Sequence, residues 1–397
     1  MSSSRRNPDR NGAPYEPTGE TAVRVIDVDV HFKPAGAEAI LDRLPEPWRS
    51  RRNIRRALTK APVYNPYTGA MRLDAKPAGG PTGSDPELAG KQLFIEAVVD
   101  LAINIPVGEF FCPLVEPDLN AAYASAVNEW QSDTWLGDFK GHRRYRGSIS
   151  VPVNNIPSAV AEVEKWAGDR RFVQVLVPHH AGAPYGSSQF DPLWAAASRH
   201  GLPIALHSNV GLETYCTPVG FIQRYPEYNG IGHPLFIAQH LVSLITNGVF
   251  ERFPDLRFVF VEGGFSLYGP LVSRLDRSFE RLGGSGSRLP SQYVRERVRF
   301  SSQPIEEPEQ FEDLARMWRW CAAEDILMFS TDYPHWDFDD PSRAVSPRFG
   351  DGIRQRVLRD NAREFYGFPG TRLLDEFDTV AQQATGRTPS PTSGLGV

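Results

Sequence analysis

The chain has 397 residues, 41% of them hydrophobic and 23% charged, which is typical of a soluble globular protein. Its formal net charge of −5 provides no basic field, so we expect no nucleic-acid partner. No stretch of the sequence approaches the roughly 18 apolar residues of a membrane span, so we expect no membrane association. Three widely spaced cysteines, Cys112, Cys216 and Cys321, indicate neither a disulfide framework nor a thiolate zinc site, and they fit a reducing cytoplasm.

Both ends of the chain are rich in polar residues, glycine and proline. Residues 1–22 and 373–397 predict a disordered arm and a mostly disordered tail, because they contain too few apolar side chains to form a core. The N-terminal stretch also lacks the apolar segment of a secretory signal. The remaining residues, 23–372, predict one folded domain.

Within this domain, short runs rich in β-branched residues alternate with longer helical patterns. The predicted strands are Arg24–His31, Ala97–Ile105, Tyr145–Val151, Phe172–Pro178, Pro203–His207, Arg257–Glu262, Val298–Ser301 and Ile326–Thr331. The predicted helices include Asp118–Phe139, Ile156–Ala167, Pro192–His200, His233–Phe250, Leu267–Arg281, Glu307–Trp318 and Gly352–Phe365. Eight such repeats predict an α/β protein with a closed (β/α)8 TIM barrel. A long insert over residues 35–95 after the first strand and an irregular loop over 209–232 after the fifth are candidate substrate walls.

The first predicted strand carries two acids and a histidine on one face. Because residues two apart along a strand share a face, Asp27, Asp29 and His31 point together. Carboxylates facing a barrel interior need a cation or hydrogen-bond donors to offset their lost hydration. We interpret Asp29 and His31 as metal ligands and Asp27 as a structural hydrogen-bond acceptor.

Four later strands also end in histidines or acids. His179 and His180 end the fourth strand, and because adjacent residues face opposite sides, one of them is expected to point to the barrel centre. We choose His180, with His179 as the alternative. His207 ends the fifth strand and is interpreted as a further ligand.

Acids also follow the sixth and eighth strands. Glu262 precedes two glycines, and Asp332 precedes a proline-marked turn with His335 nearby; capping of the next helix is the alternative role for either acid. Barrel enzymes assemble their sites at these strand ends. The predicted metal ligands are therefore Asp29, His31, His180, His207, Glu262 and Asp332, and the predicted catalytic residues are Glu262, Asp332 and His335. Three imidazoles and three carboxylates are enough for two first-row metal ions.

Four segments of the sequence resemble the amidohydrolase-related (amidohydrolase 2) family of metal-dependent barrels, which includes non-oxidative decarboxylases. They read DVDVH, ALHSN, VEGGFSLYGPLVSRLD and FSTDYPHWD. The resemblance implies metal ligands at Asp29, His31, His207 and Asp332. Three features depart from the family: the usual HxH of the first strand is DxH, Glu262 stands where histidine is frequent, and no lysine occurs in residues 166–397.

These departures, together with the insert YNPYTGAMRLDAKPAGGPTGSDPEL, resemble a branch of barrel-fold non-haem diiron monooxygenases from diterpenoid (platensimycin and platencin) biosynthesis. The resemblance implies a cytoplasmic oxidoreductase of antibiotic biosynthesis that uses two iron ions and dioxygen to hydroxylate an apolar small-molecule acid or its acyl-CoA thioester. It also favours a homodimer. The alternative is a mononuclear zinc or manganese hydrolase or non-oxidative decarboxylase, and a third class is a non-catalytic barrel. Metal content and dioxygen dependence distinguish the two enzyme classes.

Overall fold

The computed structural model describes residues 25–51, 71–106, 116–136, 144–208, 216–217, 220–221, 227, 230, 232–284 and 288–368. The predicted terminal segments, 1–22 and 373–397, lie outside these residues, as does most of the predicted loop 209–232.

Eight parallel strands form one sheet in the described part of the chain, in the order in which they occur along it. They are β1 (Ile26–Val30), β2 (Leu101–Asn104), β3 (Tyr145–Ser150), β4 (Phe172–Pro178), β5 (Ile204–His207), β6 (Phe258–Phe260), β7 (Val298–Ser301) and β8 (Leu327–Met328). The first strand also meets the chain after the last one, because the Val28 N–H donates to the Phe329 carbonyl at 3.0 Å. The prediction of a (β/α)8 TIM barrel is therefore confirmed.

Most of the strands are shorter than predicted, and β2 and β8 differ most from the predicted ranges. β2 begins at Leu101, because residues Lys91–Glu96 form a π-helical turn and Val98 has a left-handed φ of 56°. β8 contains only two residues, since Ile326 still belongs to the short helix before it. The chain beyond β8 nevertheless continues to pair with β1, as the Val28 bond shows.

Helices follow most of the strands along the chain. Their bounds are α1 (Glu38–Leu41), α2 (Pro86–Gly90), α3 (Pro117–Trp130), α4 (Ile156–Trp166), α5 (Asp191–Arg199), α6 (His233–Thr246), α7 (Val249–Arg252), α8 (Tyr268–Leu282), α9 (Pro290–Arg297), α10 (Phe311–Cys321), α11 (Ala323–Ile326), α12 (Asp351–Gln355) and α13 (Asn361–Tyr366). The predicted helix His233–Phe250 is divided into α6 and α7 at Gly248, whose left-handed φ of 68° interrupts the helical backbone. A π-helical turn, Arg356–Asp360, separates α12 from α13.

The sheet is buried on both faces. All five residues of β1 and all seven of β4 are buried, which is the arrangement of a parallel sheet covered by helices. Burial on both sides explains why these strands are recognisable as nearly continuous apolar runs in the sequence. It also means that a polar side chain within such a strand needs a specific partner.

Part of the predicted insert packs against the segment that follows β8. Met71 pairs with His335 in an antiparallel bridge, and the Arg72 N–H donates to the Pro334 carbonyl at 2.9 Å. The Lys33 N–H donates to the Gly83 carbonyl, also at 2.9 Å. The insert therefore borders the carboxyl ends of the strands. No helix within the described ranges is long and apolar enough to cross a bilayer.

Candidate metal centre

Acids and histidines from separate strands meet at the carboxyl ends of the barrel strands. Their ligand atoms form two groups, each with all atoms within 4.8 Å of one another: Asp29, His31, His207 and Glu262 in one, and His31, Glu262, Asp332 and His335 in the other. Because both groups share His31 and Glu262, they describe a single site.

His31 lies at the centre of this site. Its Nε2 is 2.9 Å from Asp332 Oδ1 and 3.2 Å from Asp29 Oδ1. The same atom is 3.8 Å from Glu262 Oε1. On the other side of the ring, Nδ1–H donates to the Ile105 carbonyl at 2.9 Å. Such a bond fixes the ring and directs Nε2 toward the acids, as in metal-binding histidines.

β5 contributes His207 in the same orientation. Its Nδ1–H donates to the Ser208 carbonyl, and its Nε2 lies 3.4 Å from Glu262 Oε2 and 3.9 Å from Asp29 Oδ2. Burial lowers the pKa of His207 to about 4, so Nε2 carries a lone pair at neutral pH. His207 therefore presents a second ligand nitrogen to the acids.

Glu262 and Asp332 both have left-handed backbone conformations, with φ values of 62° and 57°. Residues other than glycine adopt such conformations at a cost of about 1–3 kcal/mol. The Glu262 N–H donates to Ser301 Oγ at 2.8 Å, and the Asp332 N–H donates to the Asp29 carbonyl at 3.1 Å. These bonds hold two strained turns whose carboxylates both approach His31.

His335 lies beside Asp332. Its Nδ1 is 2.6 Å from Asp332 Oδ1 and 3.7 Å from Glu262 Oε1. Burial by itself lowers the pKa of His335, but Asp332 and Glu262 raise it to about 9. The side chain is 21% exposed, whereas that of His31 is fully buried. His335 is therefore placed to exchange protons with solvent.

The site contains buried atoms that the described residues leave without a hydrogen-bond partner: both carboxylate oxygens of Asp29, and Nε2 of His31 and of His207. Leaving a buried polar group unpaired costs about 1–3 kcal/mol. Burial raises the pKa of Asp29 well above its usual value; His31 opposes this rise, and Asp332 and Glu262 add to it. A divalent cation would bind these atoms and neutralise the acids. The residues present therefore fit a metal ion.

The structure brings most of the predicted site residues together, but it does not bring His180 or its alternative His179 into either ligand group. His179 is fully buried and stacks on Phe236, with ring centroids 4.5 Å apart. The His180 ring lies 6.0 Å from the same phenylalanine. Asp27 accepts hydrogen bonds from the backbone N–H and the hydroxyl of Thr331, which agrees with a structural role.

One histidine approaches the site from a predicted helix that the sequence did not associate with the metal ligands. His233 is the first residue of α6, and its Nε2–H donates to the Val261 carbonyl at 3.1 Å. Its Nδ1 lies 3.8 Å from Glu262 Oε2, and its ring centroid is 5.9 Å from that of His207. A histidine followed by proline at the start of a helix is an ordinary sequence, so only the fold reveals this position.

This chain has a (β/α)8 barrel with acids and histidines at the carboxyl ends of its strands. That arrangement is typical of metal-dependent barrel proteins. The chain belongs to the amidohydrolase family, whose model matches residues 99–368. It is 30% identical over 155 residues to the decarboxylase orsB of Emericella nidulans. That alignment covers 37% of this chain and 46% of the relative, so the chain spans about half the length of this curated protein.

Several solved structures share the fold. The amidohydrolase map2389c from Mycobacterium avium subsp. paratuberculosis has 20% identity and a TM-score of 0.65, covering 88% of this chain and 100% of that one. The 2,6-dihydroxybenzoate decarboxylase from Rhizobium has 16% identity and a TM-score of 0.60, covering 86% and 98%. A dihydroxybenzoic acid decarboxylase from Polaromonas sp. JS666, with bound manganese and the inhibitor 2-nitroresorcinol, has 17% identity and a TM-score of 0.57, covering 88% and 98%.

The prediction of a diiron monooxygenase, an oxidoreductase of antibiotic biosynthesis, is wrong. Several similar proteins are decarboxylases, and two of the solved structures hold manganese. The predicted pair of iron ions is wrong as well, because the metal held by similar solved structures is manganese. The inference failed because imidazole and carboxylate ligands bind iron, manganese and zinc alike. The departures from the family pattern at the first and sixth strands therefore did not distinguish a dioxygen-dependent enzyme from a decarboxylase. The alternative prediction, a mononuclear zinc or manganese hydrolase or decarboxylase, agrees better with these findings.

Proposed function

We propose that this chain is a divalent-metal-dependent, non-oxidative decarboxylase of a hydroxylated aromatic acid. The observation that carries the proposal is the gathering of buried carboxylates and imidazoles around His31, several of whose ligand atoms have no hydrogen-bond partner among the described residues. The decarboxylases similar to this chain support the reaction class. The names of two solved relatives support a dihydroxybenzoate-like substrate.

We assign the ion to Asp29, His31, His207 and Asp332; the first three lie in one ligand group, and Asp332 joins His31 in the other. Two imidazoles and two carboxylates suit zinc or manganese. When bound, such an ion acts as a Lewis acid that polarises the oxygen atoms of the substrate. Although burial raises the pKa of Glu262, the neighbouring histidines lower it well below its usual value. Glu262 therefore remains charged and lies 3.7 Å from His335 Nδ1, where it helps to keep that imidazole protonated.

His335 is the group that supplies the proton. Decarboxylation breaks the bond between a ring carbon and the carboxylate, releases carbon dioxide and leaves an electron pair on the ring carbon, which takes up one proton. Asp332 holds Nδ1 of His335 at 2.6 Å, so Nε2–H is the donor. The partly exposed ring then recovers a proton from water. One carboxylate and one proton give one phenol and one carbon dioxide, and no oxidant is required.

The test combines metal analysis with turnover under argon. The protein is loaded with manganese, its metal content is measured, and carbon dioxide and phenol are quantified with 2,6-dihydroxybenzoate and other hydroxybenzoates. We expect one ion per chain and activity without dioxygen. His207→Gln should lose the ion, whereas His335→Gln should keep it and lose about 100-fold or more in kcat.

The matched control is His200→Gln, because His200 is exposed on the surface beside Glu164 and its replacement should affect neither measurement. A requirement for dioxygen would overturn the proposed reaction. Full activity of the His335→Gln protein would remove His335 as the proton donor.

A further inference from the structure

A groove lies on the outer surface of the barrel between α8 and α10. Its volume of about 660 Å³ falls within the range of roughly 300–1,000 Å³ of small-molecule sites. Its lining includes Ser273, Arg274, Arg277, Arg281, Leu282 and Trp320. Aspartate and glutamate are absent from this lining. Three positive charges are therefore concentrated in one groove of a chain whose formal net charge is −5.

The three arginines project from one face of α8, because they are three and four residues apart. None of them forms an ion pair with an acid in the described ranges, although arginines nearby do: Arg316 pairs with Asp313 at 2.6 Å. Like charges at these spacings destabilise a helix. The negative end of the helix dipole favours Arg281, which lies in the last turn, but it does not act on the other two. An anion bound in the groove would offset their repulsion.

Trp320 supplies a flat apolar surface beside these charges. It is 59% exposed, and its Nε1–H donates to Ser273 Oγ at 3.3 Å, which orients the ring. The ring also packs against Gly269, where a Cβ would lie 3.2 Å from it. The neighbouring Leu282 is 85% exposed. An exposed, oriented indole of this kind suits stacking by another aromatic ring.

We propose that this groove binds a nucleotide, with its phosphates on the guanidinium groups of Arg274, Arg277 and Arg281 and its base against Trp320. Guanidinium groups match phosphate oxygens in geometry and charge, and the indole offers the stacking surface for the base. Along α8 the arginines span about 10 Å, which is enough to contact more than one phosphate group. The groove lies on helices outside the barrel, so binding there is separate from the metal centre.

Isothermal titration calorimetry tests the assignment with three probes: ADP, pyrophosphate and adenosine. We expect saturable binding of ADP to the full, metal-loaded chain, weaker binding of pyrophosphate, and weakening of both by added salt. Replacing all three arginines (Arg274→Gln, Arg277→Gln and Arg281→Gln) should weaken ADP binding at least about tenfold. Trp320→Leu should weaken ADP binding but leave pyrophosphate binding unchanged.

Arg316→Gln is the control, because Arg316 lies on the same helix as Trp320 and already has an acidic partner. Absence of saturable ADP binding by the wild-type chain would overturn the proposal, as would undiminished binding by the triple variant. Equal affinity for ADP and pyrophosphate would overturn the assignment to a nucleotide. Thermal unfolding of each variant verifies that these surface substitutions leave the fold intact.

Discussion

Asp27 and Asp29 lie two residues apart on β1, but their environments differ. The oxygens of Asp27 accept two hydrogen bonds from Thr331, whereas those of Asp29 accept no hydrogen bond from the described residues. We therefore expect Asp27→Asn to destabilise the protein by about 1–3 kcal/mol whether or not metal is present. Asp29→Asn should stabilise the protein in a chelator, because it removes a carboxylate beside Asp332 and Glu262, and should destabilise it in manganese. Urea unfolding under both conditions measures these changes; an identical effect of Asp29→Asn in both would contradict a ligand role.

Asp339 provides a test of pH dependence at a carboxyl group that is not itself a proposed metal ligand. Burial raises its pKa to about 7, and the neighbouring Glu307, Asp337 and Asp332 add to this effect. Because this value exceeds that of the unfolded chain, the neutral carboxyl stabilises the fold at low pH, and this stabilisation is lost as the pH rises through about 7. Asp339→Asn should therefore gain stability over the wild type between about pH 4 and 7, and keep that gain above pH 7.

The measurement is urea unfolding of both proteins at several pH values. Asp42→Asn is the control, because Asp42 is exposed on the surface and its replacement should give no such pH-dependent difference. A constant difference between Asp339→Asn and the wild type across this range would show that burial does not affect this carboxyl in the way described.

At the level of elements, the turn after β6 depends on close packing with α6. A Cβ on Gly263 would lie 1.8 Å from Ile237 Cδ1, and Gly264 has a left-handed φ of 68°. Gly263→Ala should therefore push α6 away and lower the stability by about 1–3 kcal/mol. Because Glu262 adjoins this turn, manganese binding should weaken as well. Gly168→Ala, at a position with no heavy atom within 4 Å, is the control; an unchanged melting temperature for Gly263→Ala would contradict this account.

The strands could be predicted from the sequence because burial on both faces gives them continuous apolar runs, as in β4. Their ends depend on local backbone geometry that composition does not specify. Val98 adopts a left-handed φ although it is β-branched, and this delays the start of β2. Gly248 was included in a predicted helix, but its φ of 68° divides α6 from α7.

The candidate site could be predicted in part for a similar reason. His31, His207 and Asp332 stand at or just beyond the ends of apolar strands, and parallel strands bring their carboxyl ends to one side of a barrel. His233 could not be placed in this way, since it reaches Glu262 from a helix after an irregular segment. The metal was also not specified, because ligand type alone does not separate iron from manganese or zinc.

At the scale of the whole molecule, the barrel closes between β1 and the chain after β8. The proposed ligands Asp29 and His31 lie on one side of this closure, and Asp332 lies on the other. The His31 N–H donates to the Tyr333 carbonyl at 2.6 Å, and the Asp332 N–H donates to the Asp29 carbonyl at 3.1 Å. An ion shared by these strands would join the first and last parts of the sheet. Removing it should therefore speed hydrogen exchange at the His31 and Asp332 amides.

Hydrogen exchange with and without a chelator measures this effect. The Val175 amide, which donates to the Pro203 carbonyl between β4 and β5, is the internal control and should exchange at the same rate in both conditions. Manganese at about 100 times its dissociation constant should also stabilise the fold by about 2.7 kcal/mol. If manganese slowed hydrogen exchange equally across the barrel, with no larger effect at the His31 and Asp332 amides, that result would contradict the proposed arrangement.

The closure between β1 and the chain after β8 has a consequence for biosynthesis. The hydrogen-bonded pair Asp27 and Thr331 is separated by 304 residues. At a translation rate of about 5–20 residues per second, the ribosome needs about 15–60 s to synthesise this stretch. During that time the nascent chain already carries Asp29 and His31 but lacks Asp332. Metal uptake at the complete site must therefore follow synthesis of nearly the whole barrel.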